Sequence, residues 1–290
     1  MNLEFDIKSF NFITWHWKND FNLEDAKREI DYQILNCNIN AVTFAFAAQQ
    51  DHCYSTTIDW TGSHMPNDNQ LEDLIKYSKD KGLKTLVKPM LNVSDGYWRA
   101  YIRFFDEDVP CEPKWENWFA SYTEFQTHYA KIAEAEQCDL FIAGCEMVMT
   151  EHRSEEWRNV IAAIRNYYHG PVSYNTDKYQ EENVTWWDCV DMISSSGYYP
   201  IDQWEQELDR IERVVQKFKK PFFFAEAGCM SRKGSSMVPN NWANQGALRL
   251  EEQPDWYRAM FEACAKRSWV NGFAMWEWAP VLPSRSTAAR

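Results

Sequence analysis

Short apolar stretches alternate with longer amphipathic ones along the whole chain, and this alternation constrains the fold more than any other feature. Runs rich in β-branched and aromatic residues occupy residues 10–17, 40–50, 84–92, 140–147, 171–176, 192–199, 221–228 and 272–278. The stretches between them repeat apolar residues at helical spacing, as Ala26, Ile30 and Ile34 do. Such alternation predicts βαβ units and a parallel sheet.

Helical patterns fill most gaps between these predicted strands. They span residues 22–36, 71–81, 115–137, 155–168, 201–219 and 254–267, and a weaker, polar candidate covers 177–189. Eight strands, each followed by a helix, within 290 residues predict a single (β/α)8 TIM barrel of the α/β class. That count leaves no room for a second domain, so we expect residues 1–290 to form one catalytic domain.

A doubly wound open sheet is the alternative fold for this alternation. The first βα turn, HWKNDFNLED, contains no G-x-G-x-x-G, and no G-x-x-x-x-G-K-[ST] occurs anywhere in the chain. The absence of both phosphate-binding loops favours the barrel. Long loops at residues 51–69, 92–113 and 229–253 follow strands two, three and seven, on the side where barrel active sites lie.

The charge balance excludes several classes of partner. Lys and Arg number 30 against 43 Asp and Glu, giving a formal net charge of −13. An acidic surface repels nucleic acids and anionic membranes, so we expect neither as a partner. No apolar run approaches the roughly 18 residues that a membrane helix needs, and the first residues lack a signal-peptide pattern. We expect a cytoplasmic monomer, or a secreted one if a leader was removed.

Cysteine and histidine patterns give no sign of a metal or a cofactor. The eight cysteines form no C-x-x-C pair, which favours reduced thiols over a disulfide framework. The six histidines form no H-x-H or H-E-x-x-H pattern, and only His16 lies near a predicted strand end. We therefore expect no metal and no cofactor.

Two glutamates end apolar strands at positions where chemistry occurs in a barrel. Glu146 ends strand four and Glu226 ends strand seven, and these strands face one another across the barrel mouth. A single such glutamate could simply meet a lysine or a helix N-terminus. Two carboxylates in a cleft rich in aromatic residues are what glycoside hydrolysis requires, one to protonate the leaving oxygen and one to attack the anomeric carbon. Aromatic residues make up 16% of the chain, so we expect many of them to line a surface or an interior space.

The sequence from about residue 39 to 280 resembles the clan A glycoside hydrolases, and most of all glycoside hydrolase family 113, the β-1,4-mannanases. The fragments that carry the resemblance are LVKPM at 86–90, the Gly-x-Glu of FIAGCEM at 141–147, RNYYHGPVSYN at 165–175, the Phe-x-Glu-x-Gly of FFAEAG at 223–228, and GFAMWEW at 272–278. Each fragment is weak alone, but each falls at a predicted strand end, in the expected order.

The resemblance implies a retaining enzyme with Glu146 as general acid/base and Glu226 as nucleophile. It also implies that Tyr198, or Tyr199 if the register differs by one, hydrogen-bonds the nucleophile. Trp276 resembles the tryptophan that stacks under the sugar in the cleaved subsite. A retaining enzyme should hold its two carboxyl groups about 5 to 5.5 Å apart, against about 6.5 to 9.5 Å for an inverting one.

Several further residues are candidates for sugar contacts. Many clan members carry Asn before the acid/base glutamate, where this chain has Cys145, so Asn92 and Asn175 could supply the lost contact to the sugar 2-hydroxyl. Side chains alternate along a strand, so Lys88 lies on the same, inward side of strand three as Asn92. It could contact the sugar or be a partner of either glutamate. The loop tryptophans Trp98, Trp60 and Trp242 are candidates for outer subsites, or for simple packing of the loops.

The sequence therefore predicts a β-1,4-mannanase whose partner is an oligosaccharide or polysaccharide. The same mechanism on xylan or glucan is the near alternative. A non-catalytic carbohydrate-binding barrel is another, although it predicts the loss of one carboxylate. A metal-dependent hydrolase, or an aldolase with Lys88 as a Schiff-base lysine, would leave the glutamate pair unexplained.

Overall fold

Eight parallel strands close on one another in sequence order, and the barrel they form is the frame of the computed structural model. The structure describes residues 6–14 and 17–280. The strands are β1 (Ile7–Phe12), β2 (Ala41–Gln50), β3 (Lys84–Val93), β4 (Leu140–Cys145), β5 (Val172–Thr176), β6 (Met192–Ser196), β7 (Phe222–Glu226) and β8 (Val270–Trp278). The predicted (β/α)8 barrel is confirmed, and the doubly wound sheet is excluded because β1 pairs with β8.

Helices cover the outside of the barrel. They are α1 (Trp17–Asp20), α2 (Leu23–Cys37), α3 (Asp68–Asp80), α4 (Trp115–Ala135), α5 (Ser154–Arg165), α6 (Trp204–Phe218) and α7 (Glu252–Cys264). The six strongly periodic predictions are confirmed within a few residues at each end. A helix after β8 would fall beyond residue 280, outside the described residues.

The weak helix predicted over residues 177–189 is wrong. Only a short 3₁₀ turn, Trp187–Cys189, forms there. The indole of Trp186 donates to the carbonyl oxygen of Glu151 and that of Trp187 to the carbonyl oxygen of Glu181. These buried hydrogen bonds stabilise an irregular backbone between β5 and β6. The sequence of this segment has no strong helical periodicity that would favour a helix instead.

Strand β1 begins and ends earlier than the sequence predicted. Its residues Ser9 and Asn11 are polar but buried, and they find partners inside the barrel: Ser9 Oγ bonds Thr43 Oγ1, and Asn11 Nδ2 donates to the carbonyl oxygen of Ala225. Trp17 is buried at the start of α1 and lies against Phe21, so it is not a strand residue. Trp15 and His16 lie outside the described residues.

Most of the described tryptophans are buried in the core, which leaves few of them to line a cleft. Trp118 stacks on Tyr122 with ring centroids 4.9 Å apart, and Trp157 stacks on Trp186 at 5.0 Å. These large side chains are fully buried and fill the wide layer outside the barrel. Of the described helices, none is long and apolar enough to cross a membrane.

Candidate active site

A cavity of about 830 Å³ opens at the carboxyl ends of the strands. It is lined by Trp98, Arg99, Glu146, Asp177, Lys178, Tyr198, Glu226, Cys229, Met230, Asn240, Trp242, Gln253, Trp276 and Glu277. Both predicted catalytic glutamates and three of the predicted sugar contacts therefore share one cleft. Its position is the one that barrel enzymes use for catalysis.

Glu226 is the last residue of β7 and its side chain is 5% exposed. Lys88 Nζ lies 2.6 Å from Oε1, Tyr198 Oη donates to Oε2 at 2.9 Å, and the Cys145 thiol lies 3.1 Å from Oε1. Burial by itself raises the pKa of Glu226, but the charges of Lys88 and Arg99 outweigh it and hold the pKa below its ordinary value. Glu226 is therefore ionised at neutral pH.

Glu146 directly follows β4 with a left-handed backbone, at φ 52°. Its N–H donates to the carbonyl oxygen of Asn175 at 2.7 Å, which holds this costly conformation. Oε1 accepts a hydrogen bond from Ser196 Oγ at 2.7 Å, and Oε2 accepts from Trp98 Nε1 at 3.1 Å and from Arg99 at 3.2 Å. Burial, and next the charge of Glu226, raise the pKa of Glu146 above its ordinary value.

The two carboxyl groups lie close together. One oxygen from each, together with Cys145 Sγ, falls within a group whose atoms are all within 4.8 Å of one another. Retaining glycosidases hold their carboxyl groups about 5 to 5.5 Å apart and inverting ones about 6.5 to 9.5 Å apart, so this close approach favours a retaining mechanism. The pKa values of these two neighbouring carboxyl groups are shifted in opposite directions, upward for Glu146 and downward for Glu226.

Two glycines let the strand ends approach their neighbours. A Cβ at Gly144, where φ is 115°, would collide with the hydroxyl of Tyr122. A Cβ at Gly228 would lie 2.6 Å from the carbonyl oxygen of Trp276. These are the glycines of the Gly-x-Glu and Phe-x-Glu-x-Gly fragments. In each fragment, the glycine lets neighbouring groups pack closely against the backbone that carries the glutamate.

Three of the predicted sugar contacts line the cleft, and three do not. Trp98, Tyr198 and Trp276 reach the cavity, and Trp98 is 40% exposed. The other three bind protein groups: Lys88 is fully buried against Glu226, Asn92 Oδ1 accepts a hydrogen bond from Arg99 at 2.7 Å, and Asn175 donates to Ser196 Oγ at 3.1 Å.

Packing also decides which of the two tyrosines contacts Glu226 and which loop tryptophans line the cleft. Tyr199 is turned away from the cleft and donates to Glu181 at 2.6 Å, so Tyr198 is the tyrosine at Glu226. Trp242 lines the cleft and packs edge-on against Tyr198 at 5.5 Å. Trp60 instead packs on His128, with ring centroids 4.7 Å apart, which agrees with the alternative that it only packs its loop.

Sequence reasoning missed several side chains at the site, and three of them are Arg99, Asp177 and Ser196. Arg99 is buried in the loop after β3, where nothing in the sequence marks its fold-back onto Glu146. Asp177 and Ser196 lie at the ends of β5 and β6, so the rule that polar residues at strand ends form the site would have found both. Asp177 lines the cleft, and burial, then the charge of Glu146, raise its pKa to about 7.

Cys145, Glu146 and Glu226 offer ligand atoms close enough to hold a metal ion. Lys88 and Arg99, however, already place a positive charge at each carboxylate. A further cation would meet strong repulsion there. The donor set therefore suits a charge-balanced pair of carboxylates better than a metal centre.

Comparisons with known proteins agree with this geometry. The profile of Glycoside Hydrolase Family 113 matches residues 10–290. A solved GH113 β-1,4-mannanase is 50% identical, with a TM-score of 0.95 over 98% of this chain and 92% of that one. A second solved structure, a complex of a GH113 β-1,4-mannanase, is 48% identical, with a TM-score of 0.92 over 98% and 91% of the two chains.

A third solved structure is the GH113 β-mannanase from Alicyclobacillus acidocaldarius in complex with ManMIm. It is 36% identical, with a TM-score of 0.90 over 98% of this chain and 90% of that one. No curated protein sequence matches significantly. The family profile, the full-length similarity and the paired carboxylates agree, and the chain belongs to glycoside hydrolase family 113.

Proposed function

We propose that this protein is a retaining β-1,4-mannanase that cleaves mannan or manno-oligosaccharides, with Glu226 as nucleophile and Glu146 as general acid/base. The observation that carries the proposal is the pair of buried carboxyl groups whose pKa values are shifted in opposite directions. The substrate follows from the β-1,4-mannanases to which the chain is 50% and 48% identical.

In the first step, an oxygen of Glu226 attacks the anomeric carbon while the bond to the leaving oxygen breaks. Glu146 gives its proton to that oxygen, and a glycosyl ester of Glu226 remains. Esterification removes the negative charge of Glu226, which is one of the causes of the raised pKa of Glu146. The pKa of Glu146 then falls, and the residue is ready to act as a base.

In the second step, water gives a proton to Glu146 and attacks the anomeric carbon, and the ester bond to Glu226 breaks. Two inversions at one carbon give net retention. Lys88 binds one oxygen of the Glu226 carboxylate and Tyr198 binds the other, which keeps the carboxylate aligned through both steps. Trp98 and Trp276 offer aromatic faces to the C–H faces of the sugars.

The sequence expectations of a monomer, of a cytoplasmic location and of catalysis without a cofactor stay predictions. The two carboxylates supply both proton transfer and nucleophile, so the proposed mechanism requires no further group.

The test of the residue roles is azide rescue of Glu226→Ala and Glu146→Ala on an aryl β-mannobioside. In Glu226→Ala, azide takes the place of the nucleophile, and we expect an α-glycosyl azide after one inversion. In Glu146→Ala, azide opens the glycosyl ester, and we expect a β-glycosyl azide. The opposite pattern would exchange the two roles, and full activity of either variant without azide would refute the mechanism.

The test of the substrate is a product profile on mannan, glucomannan, xylan and cellulosic glucan, with Glu226→Ala as the blank. Cleavage of mannan and manno-oligosaccharides that disappears in the blank supports the proposal. Cleavage of xylan or glucan alone would overturn the specificity and keep the mechanism. Binding of a sugar without cleavage would favour a non-catalytic barrel.

A further inference from the structure

A second cavity, of about 470 Å³, opens at the same end of the barrel as the catalytic cleft. Its lining includes Tyr54, Arg103, Phe105, Asp106, Trp115 and His152. These residues come from the loops after β2, β3 and β4 and from the start of α4. The proposed function assigns it no role.

The same two loops line both cavities, which places the cavities side by side. After β3, Trp98 and Arg99 line the catalytic cleft, and Arg103 and Phe105 line the second cavity. After β4, Glu146 lines the cleft and Met149 lines the second cavity. A span of three residues reaches about 10 Å at most, so the second cavity begins within a few sugar units of Glu146.

An exposed aromatic side chain packs against Trp98, which lines the catalytic cleft. Tyr101 is 55% exposed, and its ring centroid lies 6.1 Å from that of Trp98, which donates to Glu146. An extended ligand that leaves the cleft over Trp98 therefore meets a second aromatic ring beside it.

The second cavity combines aromatic faces with fixed polar groups. Tyr54, which stacks on His52 with ring centroids 5.1 Å apart, is 60% exposed, and Phe105 is 59% exposed, so both rings offer accessible apolar surface to a ligand. Asp106 Oδ1 accepts hydrogen bonds from Trp115 Nε1 at 3.2 Å and from His152 Nε2 at 2.9 Å, in the His152 tautomer or charge state that donates. These bonds orient the carboxylate, and no described residue donates a hydrogen bond to its Oδ2 oxygen.

Arg103 adds a donor to this set. Among the described residues, none forms an ion pair or a side-chain hydrogen bond with its guanidinium. Rings that meet C–H faces, beside a carboxylate and a guanidinium that meet hydroxyl groups, are the chemistry that recognises a neutral sugar chain.

We propose that the second cavity is a distal carbohydrate-binding site that holds the far end of a β-1,4-linked hexose chain while its scissile bond lies between Glu146 and Glu226. The proposal rests on the proposed function for the identity of the chain, and it makes the enzyme sensitive to substrate length. Short substrates occupy the catalytic cleft alone, whereas long ones also gain the contacts to Tyr54 and Phe105.

The test compares the double variant Tyr54→Ala, Phe105→Ala with Tyr167→Ala, which removes an exposed ring that lies outside both cavities. In the double variant we expect the ratio of kcat/KM for mannohexaose to kcat/KM for mannotriose to fall about tenfold, through KM, because two aromatic contacts are lost. The control should keep the wild-type ratio. An unchanged ratio in a double variant with an unchanged Tm would overturn the distal site and leave the proposed function standing.

A binding measurement separates the two proposals further. In a Glu226→Gln background, the affinity for mannohexaose by calorimetry should weaken about tenfold when Tyr54 and Phe105 are replaced by alanine. Equal affinity in both proteins would overturn the distal site. If neither mannotriose nor mannohexaose were cleaved by the wild-type protein, the proposed function would fail, and the calorimetry would still decide whether this cavity binds the sugar chain.

Discussion

The ends of β7 and β4 each present a buried glutamate, and the two sites differ in how their charge is balanced. Glu226 at β7 has Lys88 at 2.6 Å, and its pKa is lowered. Glu146 at β4 has Arg99 at 3.2 Å together with the repulsive charge of Glu226, and its pKa is raised. Burial penalises both carboxylates, so the distance and number of charged neighbours decide the direction of each pKa shift.

A third buried carboxyl group extends this comparison. Glu151 accepts hydrogen bonds from Tyr174 Oη at 2.8 Å and Thr176 Oγ1 at 2.7 Å, but no described cation pairs with it. Burial, only partly offset by these bonds, raises its pKa to about 8. The series from Glu226 through Glu146 to Glu151 indicates that the fold assigns protonation by placing cations, since hydrogen bonds from hydroxyl groups do not outweigh burial.

Replacing Lys88 should have the largest effect on this comparison. In Lys88→Met, burial of Glu226 is no longer offset by the nearest charge, so its pKa rises and the nucleophile stays protonated to higher pH. We expect the acidic limb of the kcat/KM profile to move to higher pH and the activity at pH 6 to fall about 100-fold. Lys84→Met, on the exposed start of the same strand, is the matched control. An acidic limb identical to that of the wild type would contradict the assignment.

Replacing Arg99 should act on the other limb of the profile. In Arg99→Met, Glu146 loses the cation that lowers its pKa, so this pKa rises further and the acid stays protonated to higher pH. We expect the basic limb to move to higher pH by more than the acidic limb, with kcat/KM about tenfold lower because Trp98 and Ser196 alone then position the carboxyl group. A larger shift of the acidic limb would place the influence of Arg99 on Glu226 instead.

Asp177 should have a smaller effect, of opposite sign. Its pKa of about 7 means that it becomes charged as the pH rises, and its charge and that of Glu146 repel each other. Asp177→Asn removes this repulsion, so the pKa of Glu146 falls and the basic limb moves to lower pH. We expect roughly threefold lower activity at pH 8 and little change at pH 5, measured in parallel on one short substrate. Equal losses at both pH values would indicate a role in sugar binding.

Glu151 should affect catalysis least and the pH dependence of stability most. Its folded pKa of about 8 lies above the unfolded value, so its stabilising contribution is complete below about pH 4 and is lost as the pH rises towards 8. The Glu151→Gln variant carries no ionisable group at this position. Its free energy of unfolding minus that of the wild type should therefore increase by roughly 1–3 kcal/mol from pH 5 to pH 8. Chemical denaturation at the two pH values measures this, and parallel curves would show that Glu151 is already ionised.

Periodic elements were predictable, and irregular ones were not. Helix α6 and strand β7 follow strong apolar patterns, so they form close to the predicted positions. The segment over residues 177–189 has no such pattern, and its path is set by the indole bonds of Trp186 and Trp187. Strand β1 was displaced because Ser9 and Asn11 are polar but face inwards, where only the folded barrel supplies their partners.

The sequence by itself determined which glutamates meet at the barrel mouth, because strand order in this fold follows chain order and polar residues at strand ends share one face. It also determined that Lys88 points inwards, through the alternation of side chains along a strand. Only the tertiary structure decided that Lys88 pairs with Glu226, that Arg99 and Trp98 return to Glu146, and that Asp177 lines the cleft. These contacts depend on where long loops pack and on sub-ångström differences in charge separation, which no local pattern encodes.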